Sequence, residues 1–92
     1  MIRVLIERHI KDGHLDQYKD VIKHAKKSAG NVQGYVSGEM LSEAKNPHIV
    51  MVMSQWTDEQ SWLSWEKSPV RLNIINALKD ILVGNESIRI FQ

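Results

Sequence analysis

The chain has 92 residues, and its twelve basic and eleven acidic side chains leave a formal net charge of +1. That balance lacks the basic stripe of a nucleic-acid groove, and no apolar run approaches the ~20 residues that cross a bilayer, so neither nucleic acid nor membrane is a predicted partner. The absence of cysteine excludes disulfides and thiolate metal sites. The length predicts one domain over residues 1–92, and the charged start MIRVLIERHI is unlike a signal peptide, which makes a cytoplasmic location the default prediction.

The first two elements are a predicted strand and a predicted helix. Ile2 to Ile10 alternates as a strand does, with Ile2, Val4 and Ile6 facing a core. The opposite face carries Arg3, Leu5, Glu7 and His9. A helix is then predicted from His14 to about Ala29, because apolar residues recur at intervals of three and four and Gly30-Asn31 follows. Its stripe consists of Tyr18, Val21, Ile22, Ala25 and Ala29.

Two strands joined by a hairpin are predicted next. Tyr35 to Ser42 alternates, and Tyr35, Ser37, Glu39 and Leu41 are expected to share one face. Ala44 to Pro47 forms the hairpin loop, since Asn46-Pro47 is a strong turn signal. His48 to Trp56 holds an unbroken apolar run, which predicts a strand buried on both faces.

All three tryptophans lie within the first ten residues of the segment from Trp56 to Leu82. Thr57 and Gln60 have the spacing of a capping box and predict the start of a short helix. Ser68-Pro69 predicts a second, longer helix, because Ser is a good N-cap and Pro is tolerated at the first helical position. Gly84 is expected to end that helix after a stripe of Ile74, Ile75, Leu78, Ile81 and Leu82. A last strand is predicted from Ser87 to Gln92.

The order strand, helix, strand, strand, helix, strand predicts an α+β fold of the ferredoxin-like, split βαβ type. It has a four-stranded antiparallel sheet with helices on one face only. Leu5, Leu41 and Phe91 then point outward, and an apolar sheet face of that size usually marks an interface. We therefore predict a homodimer that packs sheet against sheet about a two-fold axis.

Three residues are candidates for binding a ligand: Trp62, Trp65 and Arg71. Trp62 and Trp65 lie three apart and share a helical face, where the rings either pack in the core or, in the case of Trp65, border a cavity. Arg71 lies on the apolar stripe of the longer helix. It either extends to solvent from the helix start or faces a cavity between helices and sheet, where it would hold a phenolate or carboxylate.

Glu7 and His9 are the candidates for catalytic chemistry. His9 follows Glu7 on one strand face, which allows an acid–base role, although a histidine at a strand end has a simpler explanation as a rim residue. No histidines have metal-ligand spacing, so we predict neither a metal site nor another cofactor.

Three stretches together resemble the antibiotic biosynthesis monooxygenase family of dimeric α/β barrels: IERHIKDG, GNVQGYVSGEM and WTDEQSWLSWEKSP. Within the last, Trp56, Trp65 and Ser68 match the family pattern. The resemblance covers nearly the whole chain and implies a homodimer that binds a small aromatic ligand in a pocket bordered by Trp65. It also implies oxidation of polycyclic phenols without metal or flavin, in which the substrate's own anion reduces oxygen.

The resemblance also brings in two other functions of this fold. One branch degrades haem with an Asn, a Trp and a His. Trp65 matches its Trp, but Ile75 stands where its His would fall and the first strand has no Asn. The resemblance therefore favours monooxygenation over haem degradation. A non-catalytic protein that binds a small ligand, or acts in a stress response, is the open alternative.

Overall fold

The computed structural model describes residues 1–92 and contains four strands and three helices. In chain order these are β1 (Ile2–His9), α1 (Leu15–Ala29), β2 (Tyr35–Ser42), β3 (Ile49–Trp56), α2 (Glu59–Glu66), α3 (Pro69–Leu78) and β4 (Ser87–Phe91). The predicted ferredoxin-like α+β fold is confirmed, with α2 and α3 together filling the place of its second helix.

The strands form one antiparallel sheet in the order β2-β3-β1-β4. With β2 and β4 at its edges, the sheet of this chain is open and does not close into a barrel by itself. The inward face of β1 carries Ile2, Val4 and Ile6, as predicted, and all three are buried. The helices cover this face, and Trp62 and Leu78 complete the core from that side. None of the three helices combines the length and apolar character needed to cross a bilayer.

The capping prediction at the start of α2 was wrong by one residue. Asp58, not Thr57, is the N-cap, and its carboxylate accepts a hydrogen bond from the Ser61 N–H at 2.8 Å. Thr57 is still held to the sheet, because its N–H donates to the Gly34 carbonyl at 2.8 Å. Ser68 caps α3 as predicted, with its hydroxyl accepting from the Arg71 N–H at 3.2 Å.

Helix α3 ends at Leu78, four residues before the predicted end at Leu82. The backbone beyond it bonds to the end of β1 instead: the Lys11 N–H donates to the Ile81 carbonyl at 2.8 Å, and the Val83 N–H donates to the His9 carbonyl at 2.7 Å. Leu82 N–H still bonds to the Leu78 carbonyl at 3.1 Å, but these long-range bonds tie the following segment to β1, while Ile81 stays buried in the core.

The predicted faces of β2 were also wrong at Tyr35. Tyr35 pairs with Trp56, but Ser37 pairs with Gln55, so Val36 is an extra residue between them. A bulge of this kind turns the side chain before it to the other face. Tyr35 consequently packs against the core, whereas Glu39 and Leu41 remain on the outer face.

The outer face of the sheet is the one that no helix covers. Across the middle of the sheet, Met53 lies beside Leu5 on β1, and Glu39 and Arg89 end the same row. Leu41 and Phe91 are 47% and 42% exposed. The outer residues of β3 are only half-buried, so the two-sided burial predicted for β3 is incomplete in a single chain.

Candidate functional site

A cavity of about 340 Å³ lies between the sheet and the helices, and every element except β4 contributes to its wall. That volume falls within the range of roughly 300–1,000 Å³ that is usual for small-molecule sites. Its walls are mainly hydrophobic, with a few charged groups. This combination is typical of a site that encloses an apolar ligand and orients it by one polar end.

Four aromatic rings line one side of the cavity. Trp56 is the inward-facing last residue of β3, and its ring centre lies 5.3 Å from that of Tyr35, 5.8 Å from that of Trp62 and 6.4 Å from that of Trp65. The first two contacts are edge-on, which is a favourable arrangement for aromatic pairs. Trp62 and Trp65 face Trp56 together because they are three residues apart on α2.

A buried ionic cluster forms the polar end of the cavity. Glu86 accepts hydrogen bonds from Arg8 Nε at 2.9 Å and Nη2 at 2.7 Å, and from Arg71 Nη2 at 2.8 Å. Arg8 also donates through Nη1 to the Tyr18 hydroxyl at 3.1 Å. The side chains of Arg8, Arg71 and Glu86 are only 5%, 8% and 17% exposed. Both arginines line the cavity.

The ionisation of this cluster leaves it with a net positive charge. Burial by itself raises the pKa of Glu86, but Arg8 and Arg71 outweigh burial and hold that pKa below its ordinary value. Burial raises the pKa of Tyr18, and the nearby Arg8 only partly opposes it, so the phenol stays neutral. Two guanidinium groups therefore share one carboxylate.

The lowered pKa of Glu86 predicts a loss of stability in acid. A carboxyl group whose pKa is lower in the folded state stabilises the fold above its unfolded pKa and ceases to do so as pH falls through the folded value. At pH 7 Glu86→Gln should lower the free energy of unfolding by about 1.5–3 kcal/mol, because a charged acceptor is lost. The difference from the wild type should shrink below pH 4.5, the ordinary pKa of the group.

Urea unfolding of both proteins between pH 7 and pH 3 measures this difference, since carboxylates that the two proteins share largely cancel. A difference that stays constant down to pH 3 would contradict the assignment of the lowered pKa to Glu86.

One buried polar atom of a residue that lines the cavity has no partner in the protein. Trp62 lines the cavity, and its indole Nε1–H is buried without a hydrogen-bond acceptor. By contrast, Trp56 Nε1–H donates to the Ser54 hydroxyl at 3.0 Å. The guanidinium carbon of Arg71 lies 5.3 Å from the centre of the Trp62 ring. A buried donor without an acceptor is costly, which makes this atom notable in the site.

The structure brings together the three predicted binding residues: Trp62, Trp65 and Arg71 all line the cavity. Of the two predicted positions for Arg71, the inward one is observed, since the residue is 7% exposed. Glu7 and His9 lie elsewhere. Their side chains contact each other at 2.8 Å, half-exposed, on the outer face of the sheet. The sheet separates this pair from the cavity, so the suggested acid–base role at a shared site is not supported by their placement.

Sequence reasoning missed Arg8, Glu86 and the inward position of Tyr35. Arg8 had a signal, because it continues the alternation of Val4 and Ile6 and so falls on the core face. Glu86 had none, since it lies in the segment between α3 and β4 and reaches Arg8 across 78 positions of sequence. No three histidine, aspartate or glutamate side chains lie in a group that could hold a metal ion.

Comparison with known proteins finds one matching family model and distant relatives in Streptomyces. Residues 1–77 match the family model described as "Antibiotic biosynthesis monooxygenase". Protein SchA of Streptomyces halstedii is 24% identical over 88 residues, which cover 96% of this chain and 23% of SchA. The 42.8 kDa protein of the whiE locus of Streptomyces coelicolor is 23% identical over 88 residues. The chain thus spans less than a quarter of the length of these curated relatives.

Solved structures share the fold along the whole chain. A conserved protein from Methanosarcina mazei Go1 has a TM-score of 0.92 and 22% identity, covering 99% of this chain and 90% of its own. SnoaB, a cofactor-independent oxygenase from Streptomyces nogalater, has a TM-score of 0.89 and 15% identity with the same coverage. At such identities the likeness establishes the fold alone.

Proposed function

Since the chain belongs to the antibiotic biosynthesis monooxygenase family, we propose that it is a cofactor-independent monooxygenase acting on an aromatic small molecule. The observation that carries the proposal is the cavity walled by Trp56, Trp62, Trp65 and Tyr35. Rings of this kind hold a planar aromatic ligand by stacking and edge contacts. The cofactor-independent oxygenase SnoaB shares the fold and supports the reaction type.

The proposed chemistry draws its electrons from the substrate. In an aromatic ring that carries a phenolate, a ring CH group is oxidised by O₂ to a carbonyl. One oxygen atom forms the new C=O bond, the other leaves as water with the hydrogen lost from that carbon and one proton from solvent, and the phenolate becomes the second carbonyl of a quinone. The cavity's part is to hold the ring against its aromatic wall and to stabilise its negative charge with a guanidinium group.

Oxygen consumption tests this function directly. The protein is given a panel of hydroquinones in the presence of a metal chelator, and oxygen uptake is followed with an electrode. We expect uptake that depends on both protein and substrate. Binding without uptake across the panel would favour the alternative of a non-catalytic ligand-binding protein. An absorbance titration with haem serves as the control for the haem-degrading branch, and we expect no tight histidine-type spectrum.

Trp65→Phe is expected to change ligand binding or turnover more than it changes stability. The variant keeps an aromatic ring, so its free energy of unfolding should fall by at most about 1.5 kcal/mol. The pocket wall, however, changes shape and loses an indole N–H. Urea unfolding, measured alongside oxygen uptake or ligand binding, compares the two effects. Unfolding as easy as that of Trp62→Ala, with ligand binding intact, would assign Trp65 to the core.

We also propose that two copies associate through the outer face of the sheet, each chain acting as one domain over residues 1–92. The support is the uncovered apolar row at Met53 and Leu5, with Leu41 and Phe91 exposed nearby. Burying such a face stabilises an isologous dimer. The cytoplasmic location stays a prediction.

Met53→Glu should convert a dimer to a monomer, because it places a carboxylate in the middle of the proposed interface. Light scattering at micromolar concentration measures the mass, and circular dichroism checks that the variant is folded. Leu72→Glu is the matched control, since Leu72 is an exposed leucine on α3, away from the outer face. A wild-type monomer, or equal effects of the two variants, would contradict the proposed interface.

A further inference from the structure

Gly38 lies in the middle of β2, on the inward face of the sheet, and lines the cavity. A glycine inside a strand weakens it and often marks a place where another group comes close. The backbone does not require glycine here, because the φ of Gly38 is not positive, unlike that of Gly34. A Cβ at Gly38 would, however, overlap the hydroxyl oxygen of Tyr35. The absent side chain therefore makes room for the Tyr35 hydroxyl on the inward face.

The Tyr35 hydroxyl is a polar group of the cavity wall that has no partner in the chain. Tyr35 lines the cavity together with Gly38, and its ring packs edge-on against Trp56. The hydroxyl makes no hydrogen bond to the protein and, unlike the Trp62 indole N–H, it is not sealed from solvent. Burial raises the pKa of Tyr35, so the phenol stays neutral and keeps a proton to donate.

Ser54 supplies a second hydroxyl at the same place. It pairs with Gly38 across the β2–β3 ladder, is half-buried and lines the cavity. Its Oγ accepts a hydrogen bond from Trp56 Nε1–H at 3.0 Å, while its own O–H donates to no group of the protein. Opposite residues of antiparallel strands have Cα atoms about 4.5–5.5 Å apart, so the two hydroxyls flank one spot in the wall.

This spot is distinct from the ionic cluster. Ser54 pairs with Val4 of β1, whereas Arg8 lies four residues further along the same strand. Four residues of a strand span about 13 Å. The cavity wall therefore has a neutral, hydroxyl-bearing region and a charged region that are set apart along the sheet.

An O–H group that a ligand buries without an acceptor is costly, and two such groups side by side favour an acceptor that takes both. A carbonyl oxygen meets this need, because its two lone pairs accept two hydrogen bonds. We infer that Tyr35 and Ser54 bind an uncharged carbonyl oxygen of the ligand, and that Gly38 is the positioning residue that lets the Tyr35 hydroxyl reach it. The inference rests on the proposed function only for the aromatic character of the ligand.

The test compares two aromatic compounds of nearly the same shape on the wild-type protein and its variants, by calorimetry. The ketone is 2-acetylnaphthalene, and the hydrocarbon is 2-isopropenylnaphthalene, which has a CH₂ group in place of the oxygen. Tyr35→Phe should weaken the binding of the ketone about fivefold, as expected for one neutral hydrogen bond, and leave that of the hydrocarbon unchanged. The variant should unfold at nearly the same urea concentration as the wild type, since the hydroxyl makes no bond within the protein.

The carbonyl band of the bound ketone reports the hydrogen bonds directly. With ¹³C in the carbonyl group, infrared difference spectra separate its stretch from the bands of the protein. The stretch should lie at lower wavenumber in the wild type than in Tyr35→Phe, because a hydrogen bond weakens the C=O bond. Ser54→Ala should move the band in the same direction as Tyr35→Phe does.

Ser37→Ala is the matched control, because Ser37 is exposed on the outer face of β2 and does not line the cavity. It should change neither the affinities nor the position of the band. Should Ser54→Ala fail to fold after losing the acceptor of the Trp56 N–H, Tyr35→Phe still decides the matter.

Gly38→Ala tests the positioning role. It should weaken the ketone about as much as Tyr35→Phe does, because the added Cβ displaces the hydroxyl. In the Tyr35→Phe background the same change should have little further effect, since the Cβ would lie 3.5 Å from the ring carbon Cζ, an ordinary contact distance. Independent, additive effects of the two substitutions would overturn the role given to Gly38.

Equal weakening of ketone and hydrocarbon by Tyr35→Phe would overturn the carbonyl site, and so would an unchanged carbonyl band or a failure of the ketone to bind the wild type. The proposed monooxygenase activity fails separately. Carbonyl-selective binding without oxygen uptake from any hydroquinone would remove the activity and leave the site standing, whereas oxygen uptake without carbonyl selectivity would do the reverse.

Discussion

Trp62→Ala is expected to lower the free energy of unfolding by about 3–5 kcal/mol, the usual cost of truncating a buried large aromatic side chain. Trp62 is 1% exposed and packs edge-on against Trp56, and the Arg71 guanidinium lies over the Trp62 ring. Removing the indole would therefore enlarge the cavity and leave the Arg71 guanidinium without its aromatic neighbour. Urea unfolding at neutral pH, followed by circular dichroism, gives the change directly.

Trp62→Phe keeps an aromatic ring but removes the indole N–H, so it distinguishes the contribution of the ring from that of the N–H. The N–H makes no hydrogen bond in the protein, so this variant loses volume but no internal hydrogen bond. Its free energy of unfolding should therefore fall by well under half as much as that of Trp62→Ala. A Trp62→Ala loss below about 1.5 kcal/mol would mean that the surrounding side chains close the space, and that the cavity is more deformable than its packed walls indicate.

Gly34→Ala is expected to lower the free energy of unfolding by about 2–5 kcal/mol, because it combines backbone strain with a steric overlap. Gly34 has a φ of +90°, where an L side chain is strained, and its carbonyl accepts the hydrogen bond that holds Thr57 at the end of β3. A Cβ at this position would also overlap the Cβ and Oγ of Ser61 on α2. Rotation of the Ser61 hydroxyl relieves only part of that overlap, because the Ser61 Cβ is fixed to the helix.

Gly84→Ala is the matched control, because it introduces the backbone strain without the steric overlap. Its φ is +75°, but a Cβ added there meets nothing within 4 Å. Urea unfolding of the two variants should show a loss of about 1–2 kcal/mol for Gly84→Ala and a clearly larger one for Gly34→Ala. Adding Ser61→Gly should recover part of the difference. Equal losses would show that α2 shifts to make room, and that the contact between Gly34 and Ser61 does not hold the tryptophan-bearing helix rigidly.

The local features of the site were within reach of sequence reasoning. The three-residue spacing of Trp62 and Trp65 places both rings on one face of α2. The pair Ser68-Pro69 starts a new helix at the observed position. Alternation in β1 separates its inward and outward residues, and the extension of that alternation to Arg8 was the one local signal left unused. Each of these depends on residues a few positions apart, so the chain's own periodicity is enough.

The sequence by itself thus determined the order of the elements, the ferredoxin-like fold and the helix that carries the tryptophans, because spacing and capping act over a few residues. Tertiary structure alone decided three things. The bulge at Val36 turned Tyr35 inward, backbone bonds to β1 ended α3 at Leu78, and Glu86 joined Arg8 to Arg71. All three depend on groups that are distant in sequence and meet only after the sheet and helices have packed, where pairing of strand backbone and the cost of a buried charge outweigh local preference.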